Sequence, residues 1–168
     1  LFCLGLTSMV SNNECAKETP PVEETVLFRA GKEGYPGYRI PSLLTTRRGL
    51  VLAFCEARQG GDHSHNDLAL KRSTYGGRSW SPLRVIIRHP RDAFNNPTSI
   101  CLRESGRVLL FYEHYPDGTG ERKVVPGYEG LVVTTYLTQS DDDGVLARHG
   151  YKAYLGHDAA ATIYYLYL

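Results

Sequence analysis

The chain has 168 residues, with 19 Lys and Arg against 18 Asp and Glu, a formal charge of +1, and 42% hydrophobic residues. That balance excludes a disordered chain and a membrane bundle. The basic residues are scattered rather than clustered, which argues against a nucleic-acid-binding surface. The length fits about one domain with a core of its own.

The first ten residues, LFCLGLTSMV, are nearly all apolar or small, and the charged, proline-bearing KETPPVEE follows soon after. Residues 1–16 read as the latter half of a signal peptide, with small residues for cleavage around Cys15–Ala16. Residues 17–24 then form a linker. A buried first strand is the alternative; the apolar run is too short to span a bilayer. No lipobox precedes Cys15. The cysteines Cys3, Cys15, Cys55 and Cys101 form no CxxC pair. A Cys55–Cys101 disulfide and two small buried thiols both remain open.

After Pro21 the pattern is one of short strands. Thr25–Arg29 is the first candidate. Ile40–Thr46 and Leu50–Glu56, joined by the turn Arg47–Gly49, read as an antiparallel hairpin. The second run is apolar on both faces, which predicts a central strand. Gln59–Asn66 (QGGDHSHN) is a polar loop. Asp67–Ser73 alternates, with Leu68 and Leu70 on one face and Asp67, Ala69 and Lys71 on the other. Val85–Ile87 is a short strand, Phe94–Pro97 a loop, Thr98–Arg103 a strand and Arg107–Tyr112 another. A long Gly/Pro-rich connection, Tyr115–Tyr128, leads to the strand Gly130–Thr138. Strands this short, with turns this frequent, indicate an all-β sandwich, barrel or propeller. The turns STYGGRSW at Ser73–Trp80 and SDDDG at Ser140–Gly144 each follow a strand, which suggests repeated four-stranded units. Residues 145–168 lose this turn pattern. A terminal strand pair accounts for them, as does a slip of reading frame near residue 145.

Candidate chemistry gathers in the first third. Arg39 lies in Tyr38–Arg39–Ile40–Pro41, where Pro41 biases Ile40 toward an extended conformation. Arg58 and Asp62 flank the turn after the apolar strand. Two arginines with one aspartate suit an anionic substrate and a proton donor. Each arginine taken alone also fits a surface side chain or a structural salt bridge. His63, His65 and Asp67 would be the ligands of any metal site, although a solvated polar loop explains them as well.

These segments resemble the N-terminal part of the sialidase (neuraminidase) family, in family order over Thr25–Gly144. YRIP at Tyr38–Pro41 resembles the F/Y-R-I-P motif, and Phe54–Arg58 with its loop to Asp62 resembles the next active-site segment. Ser73–Trp80 resembles a first Asp-box, Asn96–Pro97 the Asn-Pro of a pocket loop, and Ser140–Gly144 the opening of a second Asp-box. The resemblance implies a six-bladed β-propeller, of which this chain covers about two blades. It implies an exo-α-sialidase that releases terminal sialic acid from glycoconjugates with retention of configuration, without a cofactor or metal.

By the same resemblance, Arg39 belongs to the arginine triad that grips the substrate carboxylate, and Arg58 is a second pocket arginine. Asp62 is the general acid/base, with Asp67 as the alternative acid. Asn96 lines the pocket. Ser73, Gly77, Trp80, Ser140, Asp142 and Gly144 are structural Asp-box positions. The implied partners are sialylated glycans; the signal-like start and the lack of an obvious disulfide scaffold fit a secreted or periplasmic bacterial protein. The other triad arginines and the Tyr/Glu nucleophile pair are expected beyond residue 168, which predicts that residues 1–168 alone are unstable and inactive. Two departures stand out. Tyr75 replaces the aspartate of the first box, and Leu146–Ala147 replaces the Thr-Trp pair of the second. A non-catalytic sialic-acid-binding propeller and a structural Asp-box propeller are the competing readings.

Overall fold

The computed structural model describes residues 23–62, 64–119, 133–142, 148–152, 154–157 and 164–167. The signal-peptide segment, His63, Gly144 and most of the connection after Tyr115 lie outside the described residues. All the regular elements described are strands: β1 (Gly37–Thr45), β2 (Val51–Arg58), β3 (Asn66–Ser73), β4 (Arg84–Ile87), β5 (Ala93–Cys101), β6 (Val108–Tyr115), β7 (Thr134–Ser140), β8 (Arg148–Lys152), β9 (Tyr154–His157) and β10 (Tyr164–Tyr167). No described helix is long and apolar enough to cross a membrane.

Strands β1 to β4 pair antiparallel in succession, and β5 to β8 do the same. Among the described residues the register joins the two units at one parallel pair, Asn66↔Ala93. The units also touch through their first strands, where the Ser42 and Ser99 hydroxyls lie 2.8 Å apart and Ser99 N–H donates to Ser42 Oγ at 3.2 Å. The sheet does not close on itself. β9 and β10 form a separate antiparallel pair.

The core follows from strand alternation. Leu52 and Phe54 of β2 and Leu68 and Leu70 of β3 share one face. They pack against Phe94, Val108, Leu110 and Tyr112 of the second unit. The opposite face carries Cys55, Ala57 and Ala69, covered by Tyr35 with Phe28, Tyr38, Leu83 and Val85. Burying each large apolar side chain contributes about 1.5–3 kcal/mol, so the face shared by the units is the main source of cohesion. Both Cys55 and Cys101 are free thiols, so the disulfide alternative is not realised.

Three expectations need correction. Thr25–Arg29 is not a strand. It is held instead by side chains: Lys71 Nζ donates to Leu27 O at 2.9 Å and sits 5.4 Å from the centre of the Phe28 ring. The Phe94–Pro97 segment is not a loop but lies inside β5, where a register shift between Asn95 and Thr98 accommodates the proline. Ile40 is not extended: its φ is 49°. The register of β1 shifts between Arg39 and Ser42, so Ile40 and Pro41 together oppose Cys55. A bulge of that kind overrides the local pre-proline preference.

The repeated turns occupy equivalent places, at the ends of the third strands β3 and β7. Ser73 is fully buried, and its Oγ accepts the N–H groups of Tyr75 at 3.2 Å and Gly77 at 2.9 Å. Trp80 Nε1 closes the turn by donating to Gly77 O at 2.8 Å. Gly77 has φ 88°, a conformation that suits glycine. In the second turn Ser140 Oγ donates to Asp142 Oδ1 and accepts the Asp142 N–H at 3.3 Å.

Candidate active site

The site forms at the end of the sheet where β1, the β2–β3 loop and β5 meet. Residues opposite each other in an antiparallel pair share a face. Arg39 opposes Glu56, and Arg58 opposes Asn66. All four therefore share the face of Leu52 and Phe54. The bulge at Ile40–Pro41 is what allows Arg39 and Ser42, three positions apart, to share that face.

Glu56 is fully buried and interrupts the apolar run Val51–Ala57 of β2. Its Oε2 accepts two N–H groups from Arg58, one of them from Nε at 2.7 Å. Its Oε1 accepts the backbone N–H of Asn96 at 2.8 Å. A buried carboxylate is tolerable only when its oxygens are satisfied and a cation lies beside it, and Glu56 meets both conditions. Burial alone would lower the Arg58 pKa, but its bonds to Asp62 and Glu56 outweigh this and raise it above the ordinary arginine value. The guanidinium is therefore a fixed positive charge.

Asp62 stands on the loop between β2 and β3. Its Oδ1 receives Arg39 Nη1 at 2.9 Å and also Arg58 Nη1. The Arg58 side chain is 6% exposed, whereas those of Arg39 and Asp62 are 60% and 59% exposed. One arginine is thus anchored within the fold, and the other two groups face solvent. Asn96 sits at the bulge of β5 with φ 54°, and its Nδ2 donates to Glu113 Oε2 at 2.7 Å. Tyr115 OH donates to the same Glu113 oxygen at 3.0 Å.

Arg39, Arg58, Asp62 and Asn96, all singled out from sequence, are thus brought into one connected network. Asp67 is not. It opposes Ala57 and so points to the other face, where it is 1% exposed. Tyr35 OH and Arg88 Nε both donate to its Oδ2, the latter at 2.9 Å, and His65 Nε2 lies 2.9 Å from its Oδ1. Strand alternation separates it from its neighbour Asn66, which joins the site. Among the described residues no group of three or more His, Cys, Asp and Glu could hold a metal ion.

Sequence reasoning missed Glu56, Asn66, Asn95 and Glu113. Glu56 left a signal, a carboxylate in an apolar run with an arginine two residues on, which puts both on one face. Asn66, Asn95 and Glu113 left none, because the bonds that join Asn66 to Asn95 and Glu113 to Asn96 span 29 and 17 positions of sequence.

A sialidase of Micromonospora viridifaciens is 31% identical over 138 residues, covering 77% of this chain and 21% of that protein. Sequence and fold both converge on the sialidase (neuraminidase) superfamily. An exo-alpha-sialidase of Aspergillus fumigatus is 29% identical over 163 residues, covering 79% of this chain and 40% of that protein. The chain thus spans well under half the length of these sialidases. A leech intramolecular trans-sialidase superposes with a TM-score of 0.67 at 16% identity, over 80% of this chain and 37% of that one, which shows the shared fold. No family model matches the chain.

Proposed function

We propose that the full-length protein is an exo-α-sialidase built on a six-bladed β-propeller, which releases terminal sialic acid from glycoconjugates. The observation that carries this reading is the meeting of Arg39 and Arg58 on one oxygen of Asp62. A sialoside has a carboxylate on its anomeric carbon. Two guanidinium groups held together by the fold suit that carboxylate, because each offers directed, permanently charged N–H groups. Gripping it there brings the glycosidic oxygen beside Asp62.

In this reading Arg39 and Arg58 bind and orient the substrate carboxylate, and Glu56 holds Arg58 in place. Asp62 donates a proton to the departing oxygen and then takes one from the incoming water. Asn96 lines the pocket. A tyrosine nucleophile activated by a glutamate, the arrangement the family resemblance implies, gives retention of configuration. A neutral nucleophile avoids repulsion by the substrate carboxylate. No tyrosine of this chain is assigned that role. The apolar, proline-bounded start of the chain supports export, to the periplasm or outside a bacterial cell.

Proton NMR of the full-length protein acting on sialyllactose tests the proposal. The expected result is free sialic acid appearing first as the α-anomer. Binding of sialyllactose without release would favour the non-catalytic sialic-acid-binding reading. Neither binding nor release would favour a structural propeller.

A further inference from the structure

The geometry points to Asn66 and Asn95 as positioning residues for Asp62, an inference that rests on the reading of Asp62 as the acid. Asn66 is fully buried at the start of β3, and Asn95 is nearly buried on β5. Asn66 Nδ2 donates to the backbone carbonyl of Asp62 at 3.1 Å and to Asn95 Oδ1 at 2.8 Å. Asn95 Nδ2 reaches the same carbonyl at 3.5 Å. The Ser64 hydroxyl lies 3.1 Å from Asn66 Oδ1 and 2.7 Å from Gly61 O, and its one proton can be donated to either acceptor. The loop that carries the exposed Asp62 side chain is therefore fastened from beneath, by its own backbone, to two side-chain amides.

The amides also lie at the junction of the two units, next to the parallel pair Asn66↔Ala93. One amide comes from each unit, so the height of the Asp62 loop is set by the seating of the second unit against the first. A side-chain amide is the group this place requires. It must donate to a carbonyl, donate again to its partner, and offer an acceptor to a hydroxyl, all without adding charge beside Arg58 and Glu56. Aspartate has the same shape but donates no N–H, and it would face the Asp62 carbonyl with a lone pair.

Asn66→Asp in the full-length protein tests this, assayed on a natural sialoside and on an aryl sialoside whose phenol leaves without protonation. Misplacing an acid costs rate where leaving-group protonation matters. The expected kcat falls about 10–100-fold on the natural sialoside and only a few-fold on the aryl one, with KM little changed. Asn95→Ala should show the same pattern more weakly, and it carries the test if Asn66→Asp does not fold. Combined with Asp62→Asn, neither change should lower kcat further. Equal losses on both substrates, or losses that multiply with Asp62→Asn, would overturn the inference and leave the amides a merely structural role. If Asp62→Asn itself left both substrates unaffected, the acid assignment would fall instead and take the inference with it.

Discussion

Glu56 Oε1 accepts the backbone N–H of Asn96 at 2.8 Å across 40 positions of sequence. Its other oxygen holds Arg58. One buried carboxylate thus joins the anchored Arg58 of the first unit to a bulge in the first strand of the second. Removing it by Glu56→Ala leaves a guanidinium in a nearly closed site and a backbone N–H without its acceptor. The expected loss is about 3–5 kcal/mol, the usual cost of breaking a buried ion pair. Asp62→Asn, at an exposed pair, should cost about 1 kcal/mol or less. Denaturant unfolding of the full-length protein separates the two.

The bulges of β1 and β5 are counterparts. Each places a residue with positive φ directly before a proline, Ile40 at 49° and Asn96 at 54°. Asparagine tolerates this region, while a β-branched residue is strained there by roughly 1–2 kcal/mol. Ile40 is 39% exposed, so it recovers little of that through burial. Ile40→Asn is therefore expected to match or exceed the parent in melting temperature, whereas Ile40→Val should not. A clear loss of stability in Ile40→Asn would show that Ile40 is not strained.

The two Asp-box turns differ in one acceptor. Ser140 Oγ finds Asp142, but Tyr75 stands at the matching place after Ser73 and is 67% exposed. Tyr75→Asp should restore that acceptor at little cost in burial and add about 0.5–1.5 kcal/mol, the worth of one such bond. Ser73→Ala should lose a similar amount or more, because two backbone N–H groups lose their acceptor. Melting temperatures of the two variants decide this, and a drop in Tyr75→Asp contradicts it.

Alkaline pH should weaken the fold. Burial pushes the Tyr112 hydroxyl from 10.0 up to about 12, and the Cys55 thiol from 9.0 up to about 12. Both groups hold their protons more tightly folded than unfolded. Their contribution is complete below about pH 9 and is lost as pH rises toward 12. Urea midpoints followed from pH 8 to 11 should fall, and the fall should be shallower in Tyr112→Phe. An identical slope in that variant would contradict the assignment.

Much of the scaffold was legible in the residues. Alternation in Asp67–Ser73 placed Leu68 and Leu70 together because a strand has only two faces. The apolar run of β2 read as central because both of its faces are covered. Arg39, Arg58 and Asp62 were legible as candidates. That Asp67 is excluded was not, since this depends on Ala57 rather than Arg58 lying opposite it. The bulges were hidden for a similar reason: a pre-proline residue favours extension locally, and only pairing with β2 and β6 turns Ile40 and Asn96 the other way.

Residues 1–168 expressed alone should self-associate. β1 is the terminal strand of its sheet, and Leu43 on it is 69% exposed, with Ile100 on β5 at 47%. An open edge bearing apolar side chains is a template for pairing with another chain. Sedimentation velocity should show oligomers or aggregate. A monomer that melts cooperatively would contradict this.

The most direct test of the central claim is kcat of the full-length Asp62→Asn protein on a natural sialoside, measured beside its affinity for sialic acid. Turnover is expected to fall about 10²–10⁴-fold, the usual contribution of a positioned acid, with binding retained through Arg39 and Arg58. Turnover equal to that of the parent would contradict the assignment of Asp62 as the acid.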